Sequence, residues 1–346
     1  MKKIFAAGLI ALGFTVSVFA SDPILYGENI FELSSPEALT NVPSVAGGGI
    51  NTVGSASLVV NPALAAKEQR VELNFGATEL IKTGSSKGFG MAIQGGILIP
   101  FKWAVFSGYT NGLFADNVLS TGNSFNIKAS LSKEVTDQLS VGAGLNTGYS
   151  WSKGGDWALS ANLGFVYNWG RLAFMDDFRI GASIQNLGKN YQISTESGFF
   201  DSYPSFSTIR AGASAIFVQN DDIKLGGSFD ITTPCFKNAL FDAGINFGIK
   251  DMVYINIAEK MNLKDMIAGH PSLIPTIGVS FKFNFNVSNN SYLERNDWSE
   301  SEMRVGAAYK NLYGNIHAVS EGVDLYLGMK DSTPPVIELW MGEDDD

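Results

Sequence analysis

Cysteine and histidine are almost missing from this sequence. Cys235 stands alone and His270 and His317 are far apart, so the chain offers neither an intrachain disulfide nor the clustered ligands of a structural metal site. Charge is scarce too, at 17% of residues where a soluble domain carries about a quarter. Beyond the first twenty residues no stretch reaches the ~18 uninterrupted apolar residues that a membrane-spanning helix needs. The little charge there is leans acidic. Without Lys2 and Lys3 the 24 basic residues become 22 against 34 acidic ones, a net charge of −12, which excludes nucleic acid as a partner.

What the sequence does have begins with an export signal. Lys2 and Lys3 precede an apolar run from Ile4 to Phe19, and Val18-Phe19-Ala20 places small residues where a signal peptidase cuts. Residues 1–20 therefore read as a signal peptide cleaved before Ser21. Since Ser21 is not a cysteine, no lipid anchor is expected there.

The mature chain alternates with period two. In 240–249, Phe241, Ala243, Ile245, Phe247 and Ile249 share one face and Asp242, Gly244, Asn246 and Gly248 the other. In 277–287, Ile277, Val279, Phe281, Phe283, Phe285 and Val287 oppose Gly278, Ser280, Lys282, Asn284 and Asn286. A helix would not separate these sets. Repeated along the chain, the pattern predicts about fourteen strands of roughly ten residues, apolar outward and polar inward, as in a transmembrane antiparallel β-barrel. In a bilayer such a sheet must close, because lipid cannot satisfy an open edge. A soluble β-sandwich also alternates, but it needs more charge on its outward faces.

The connections agree with a barrel standing with residue 70 at the periplasm. Pro100-Phe101, Glu134 to Asp137, Val218 to Asp221 and Lys250-Asp251 make short inner turns, and 112–122, 188–206 and 260–275 make longer outer loops. Residues 288–301, a long inner connection, and Asn311 to Gly314, a short outer one, break the rule. They signal a local error in strand count or an irregular end to the barrel. Trp103, Tyr149, Trp151, Trp157, Tyr167 and Trp169 fall near strand ends, where aromatic girdles lie.

Residues 21–69 do not read as strands. They hold the flexible Gly47-Gly48-Gly49 with Ile50 and Asn51, the apolar Leu58-Val59-Val60, and Asn61-Pro62-Ala63-Leu64. A fourteen-strand bore is wider than side chains alone can fill, so this segment is placed to plug it. Ala46-Gly47-Gly48 followed by Asn61-Pro62-Ala63-Leu64-Ala65, just ahead of the first strand, resembles the entry of the FadL-like outer-membrane barrels. These comprise long-chain fatty-acid transporters, the PorV/PorQ branch and a related spirochaete set. Phe178-Arg179-Ile180-Gly181-Ala182-Ser183-Ile184-Gln185-Asn186-Leu187-Gly188 and Val141-Gly142-Ala143-Gly144-Leu145 look similar to strands of the same superfamily. The resemblance implies a hatch-plugged fourteen-strand barrel passing hydrophobic molecules through the outer membrane.

The organisation expected is thus a signal peptide (1–20), a hatch (21–69), a barrel (70–330) and an acidic periplasmic tail (331–346). The hatch residues singled out for ligand binding are Gly47, Gly48, Gly49, Asn51, Leu58, Val60, Asn61, Pro62 and Leu64. Two features depart from the family pattern: the tail ending Glu343-Asp344-Asp345-Asp346, and inward faces that are polar where a greasy conduit wants apolar lining. Leu58, Val59, Val60 and Leu64 of the hatch are the candidates to supply that lining, and Met261, Leu263, Met266, Ile267 and Leu273 of an outer loop the candidates for capture.

No nucleophile–base pair is in view and Gly142-x-Gly144-x-x-x-Gly148 misses the dinucleotide spacing, so no enzyme, catalytic residue, metal or cofactor is expected. The function read from the chain is passive uptake of long-chain fatty acids or similar hydrophobic molecules by a monomer in outer-membrane lipid. The alternatives are a PorV-like docking barrel that holds a periplasmic partner through the tail, and a polar-solute porin.

Overall fold

The computed structural model describes residues 27–40, 44–50, 53–84, 87–119, 121–151, 155–192, 202–268, 274–286, 300–312 and 315–328. The signal peptide, Asn51, His270, Leu273 and the acidic tail lie outside the described residues.

Fourteen antiparallel strands close into a barrel. In chain order the first seven are β1 (Val71–Lys82), β2 (Gly88–Pro100), β3 (Val105–Phe114), β4 (Ser124–Glu134), β5 (Leu139–Ser150), β6 (Asp156–Leu172) and β7 (Met175–Lys189). A two-stranded sheet, β8 (Tyr191–Gln192) with β9 (Ser202–Tyr203), stands over the next crossing. The wall resumes with β10 (Thr208–Gln219), β11 (Ile223–Pro234), β12 (Leu240–Ile249), β13 (Val253–Asn262), β14 (Thr276–Asn286), β15 (Glu300–Leu312) and β16 (Ile316–Leu327). β1 pairs with β16 from Val71 opposite Leu327 to Lys82 opposite Ile316, which removes the last edge.

The alternation read from the sequence sets the register. In β12, Asp242, Gly244, Asn246 and Gly248 are buried in the bore, and Ala243, Ile245 and Ile249 are exposed. Phe75, Leu145, Ile245 and Ile277 are all more than half exposed on the outer surface. Aromatic residues gather at both ends of this apolar belt. Phe101 stacks on Trp103 at 6.4 Å and Tyr167 meets Trp169 edge-on at 5.8 Å at the short-turn end. Tyr149, Trp151 and Trp157 lie exposed at the other end. No helix among the described residues is long and apolar enough to span a membrane; the strands do the crossing.

The expected strands differ from the observed ones mainly at their ends. β3 starts at Val105, because Phe101 donates its N–H to the Ala104 carbonyl at 2.9 Å and puts Trp103 in the turn. β6 and β7 run longer than expected, kept paired through register shifts around Asn168 and Gly170. β14 pairs directly with β15, Asn286 opposite Glu300, so the count is right at 288–314 and the long inner connection is a real irregularity. The inner turn at Lys250 and Asp251 has φ of 50° and 55°, the left-handed pair of a two-residue hairpin.

The N-terminal segment runs down the bore. A 3-10 turn (Ile30–Leu33) and the short helix α1 (Pro36–Leu39) sit among the outer ends of the strands. Further 3-10 turns, Ser55–Val59 and Leu64–Lys67, lie lower and lead into β1. Leu58 and Val59 pack on Tyr109 of β3, Ala63 and Leu64 on Val166 near the inner end of β6, and Ala65 on Leu98 and Val105.

Candidate functional site

The plug is irregular, so its carbonyls and N–H groups lack sheet partners and must be satisfied by something else. The inward polar side chains of the wall do this. Ser183 donates to the Val60 carbonyl at 2.8 Å, Gln185 to the Val59 carbonyl at 2.9 Å, and Ser214 to the Ala46 carbonyl at 3.1 Å. Asp230 accepts from the Ser44 hydroxyl at 2.6 Å and from the Val45 N–H at 2.8 Å. From the plug side, Asn61 donates to the Val45 carbonyl at 2.7 Å and to the Phe165 carbonyl of the wall at 3.1 Å, and accepts from the Ala63 N–H at 3.0 Å. The polar inner face that looked wrong for a greasy conduit is the seat of the plug.

Glycines in the wall make room where the plug touches it. A Cβ on Gly142 would meet the Pro62 carbonyl carbon at 2.4 Å, and one on Gly164 the Asn61 Oδ1 at 1.9 Å. The hatch glycines serve a different need: Gly47, Gly48 and Gly49 have φ of 99°, 68° and 63°, three consecutive left-handed residues. Arg179 of β7 donates to the Gly49 carbonyl at 2.8 Å and fixes this turn.

A buried ionic cluster ties the upper plug to the wall. Arg210 lies 2.7 Å from Asp230, 3.5 Å from Glu32 of the plug and 3.7 Å from Asp242. Lys260 reaches Glu32 at 3.3 Å and Asp242 at 3.7 Å. Beside it Ser34 shares a 2.8 Å hydrogen bond with the Tyr109 hydroxyl, which donates to Gln94 at 2.6 Å.

Above this polar layer plug and wall pack together into one buried apolar cluster. Phe31, Leu33 and Leu39 come from the plug, and Leu80, Leu113, Leu312 and Ile316 from the outer ends of four strands. Tyr191 and Tyr203 of the β8–β9 sheet cap it, their ring centroids 6.5 and 5.2 Å from that of Phe31. Lys128 of β4 is buried with its amine 5.8 Å from the centre of the Phe31 ring. No carboxylate among the described residues is within ion-pair distance of it. After β13 the outer loop carries a short helix, α2 (Leu263–Ile267), on which Leu263, Met266 and Ile267 are exposed; Met261, expected in this loop, belongs instead to β13, where it pairs with Phe241 of β12.

The sequence-derived site residues are therefore distributed along the plug. Leu58, Val60 and Asn61 are buried plug–wall contacts, Pro62 abuts Gly142, and Gly47 to Gly49 form the turn held by Arg179. Leu64 packs on Val166 and also lines an inner cavity. The apolar lining at the outer strand ends was not anticipated. Its signal was present: inward positions that turn from Asn, Ser and Thr to Leu over the last turn of pleat, as in Asn111 to Leu113 and Thr78 to Leu80.

A closed fourteen-strand wall with an apolar outer belt and its own N-terminal chain in the bore is a plugged β-barrel of the membrane-spanning kind, and solved barrels share its fold. The Ralstonia pickettii toluene transporter TbuX aligns over 88% of this chain and 99% of its own, with a TM-score of 0.50 at 13% identity. A deletion mutant of the TodX monoaromatic hydrocarbon channel aligns over 88% and 100%, with a TM-score of 0.50 at 10% identity. A Pseudomonas aeruginosa FadL homologue aligns over 90% and 98%, at 12% identity and a TM-score of 0.44. No family model and no curated protein matches the sequence.

Proposed function

We propose that the protein lies in the outer membrane and passes hydrophobic small molecules inward by diffusion, with long-chain fatty acids as substrates. The observation that carries this reading is the outer apolar cluster, packed between plug and wall at the outer end of the bore, together with the three apolar side chains exposed on the outer loop after β13. Moving a chain of methylenes from water into apolar surroundings yields about 0.8 kcal/mol per CH₂, so an acyl chain that displaces Phe31, Leu33 and Leu39 from the wall leucines is favoured there. Below the cluster the plug is fastened by hydrogen bonds and ion pairs, so both entry and onward passage require it to shift. The glycine turn at 47–49 is the segment with the backbone freedom to allow that. Two barrels of the same fold are a toluene transporter and a monoaromatic hydrocarbon channel, which supports a hydrophobic cargo. Lys128 supports an acid in particular: among the described residues Glu32 acts on its amine only from beyond ion-pair distance, and a buried amine so placed favours a ligand that brings a carboxylate.

Titration of the detergent-solubilised chain with a fluorescent fatty acid tests the reading. Saturable binding is expected, lost in Leu113→Asp. Lys128→Gln is expected to weaken binding of the acid on the order of tenfold, and that of the matching alcohol hardly at all. An absence of binding, or equal binding by Leu113→Asp, would overturn the proposal.

A further inference from the structure

At the opposite end of the plug a cavity of about 530 Å³ opens on the short-turn side of the barrel. Its volume is in the usual range for small-molecule sites, roughly 300–1,000 Å³. Part of its wall is apolar: Ile50, Val53 and Leu64 of the plug with Val166 and Ile216 of the barrel. The rest is cationic beyond its internal pairing. Arg304 at 2.6 Å, Arg70 at 3.1 Å and Lys282 at 3.5 Å all converge on one carboxylate, Glu302. Lys282 also shares Asp251 with Lys224, at 2.7 and 2.9 Å. Against the burial that would raise it, hydrogen bonds from Lys282, Tyr254 and Lys224 hold the Asp251 carboxyl well below the usual carboxylate range. In all, six basic side chains line the cavity against four acidic ones, and one of the six, Lys67, is paired with a fifth carboxylate, Glu134, at 3.0 Å; the balance is an excess of one cation in a protein that is strongly acidic as a whole. An excess of cations in a partly dry space attracts an anion, and several guanidinium and ammonium groups around one point suit a carboxylate.

We infer that this inner cavity is a binding site for a small amphipathic carboxylate. Its head adds a further carboxylate beside Arg304 and Lys282, and its short apolar chain lies against Ile50, Leu64 and Val166. The site is separate from the outer apolar cluster and does not depend on transport. Arg179 couples it to the hatch: this side chain lines the cavity, holds Asp177 at 3.1 Å and donates to Gly49. A carboxylate that draws Arg179 inward competes with the Gly49 carbonyl and loosens the glycine turn.

Calorimetric titration of the full chain in detergent tests the site, with hexanoate as probe and 1-hexanol and inorganic phosphate as comparisons. Hexanoate is expected to bind saturably and more weakly as salt rises. Arg304→Gln and Lys282→Gln are expected to lose about tenfold or more in affinity, while Lys282→Arg, which keeps the charge, retains it. Heat-modifiable electrophoretic mobility shows whether each variant still forms the barrel. Equal affinity for 1-hexanol would overturn the role of charge, and phosphate binding as tight as hexanoate would overturn the amphipathic assignment. Unchanged binding by both folded glutamine variants would remove the site from this cavity. Long-chain acyl binding at the outer cluster is read separately: its failure with hexanoate binding intact ends the transport reading and leaves this inference standing.

Discussion

Each polar atom of the Asn61 side chain is committed to holding the plug: two N–H bonds go to the carbonyls of Val45 and Phe165, and its oxygen accepts from Ala63. An aspartate there has no donor to offer and would set a negative oxygen against two carbonyl oxygens. Asn61→Asp is therefore expected to loosen the plug more than Asn61→Ala, seen as a larger rise in ion conductance in planar bilayers; the reverse order would show that the amide is not a fastening. The Gly164 position gives the complementary case, since a side chain there occupies the space of Asn61 itself. At Arg210 the argument is electrostatic. Removing it by Arg210→Met leaves Asp230, Glu32 and Asp242 buried together, a loss of about 3–5 kcal/mol for a broken buried pair. Denaturant unfolding at neutral pH measures that loss, and a stability within 1 kcal/mol of the parent, by the same scale, would show that water reaches the cluster.

At the scale of elements the plug and the wall explain each other. Ser183, Gln185 and Ser214 are polar because an irregular segment lies across them and needs hydrogen-bond partners that a sheet neighbour would otherwise provide. Deleting residues 21–66 is expected to turn a nearly silent barrel into one with steady conductance, since the remaining wall is lined by Asn, Ser, Gln and charged groups. A silent deletion variant that still shows heat-modifiable mobility would mean that the bore is closed by something other than the plug. The strands were legible one by one in the sequence, because side-chain direction along a strand has a strict period of two and the two sides of this wall meet different solvents. The plug was legible only as a segment that is not strand and is too apolar to be disordered. Its course was not, since it follows no repeat and is fixed by contacts with residues more than a hundred positions away, such as Asn61 with Phe165 and Ser44 with Asp230. The helix α2 and the β8–β9 sheet escaped for a related reason: elements this short have too few residues to show a period.

For the whole molecule, the decisive quantity is the apolar belt. Leu145 and Ile245 project from it near mid-height. Substituting either by arginine is expected to cost about 2–4 kcal/mol of folding into a bilayer, the depth-dependent penalty for a lipid-facing charge near the midplane. The same substitution at Trp103, in the girdle at the short-turn end, should cost about 1 kcal/mol or less. Folding titrations in lipid vesicles measure both, and equal costs at the two depths would mean that the belt is placed wrongly along the barrel axis.

The sequence by itself determined the wall. Alternation fixed which side chains meet lipid and which meet the bore, the scarcity of charge required a non-aqueous surroundings for the outer face, and an unpaired edge being intolerable in lipid forced closure. All of this is local or follows from the number of strands. The tertiary structure decided the interior: that inward asparagines and serines bind a plug, that Arg210 and Lys260 meet Glu32, that three leucines and an isoleucine from four strand ends join Phe31 in one cluster, and that Arg70, Arg304 and Lys282 converge on Glu302. Those arrangements depend on which residues of distant strands share a height in the barrel. That is set by register and by the path of the plug, neither of which leaves a period in the chain.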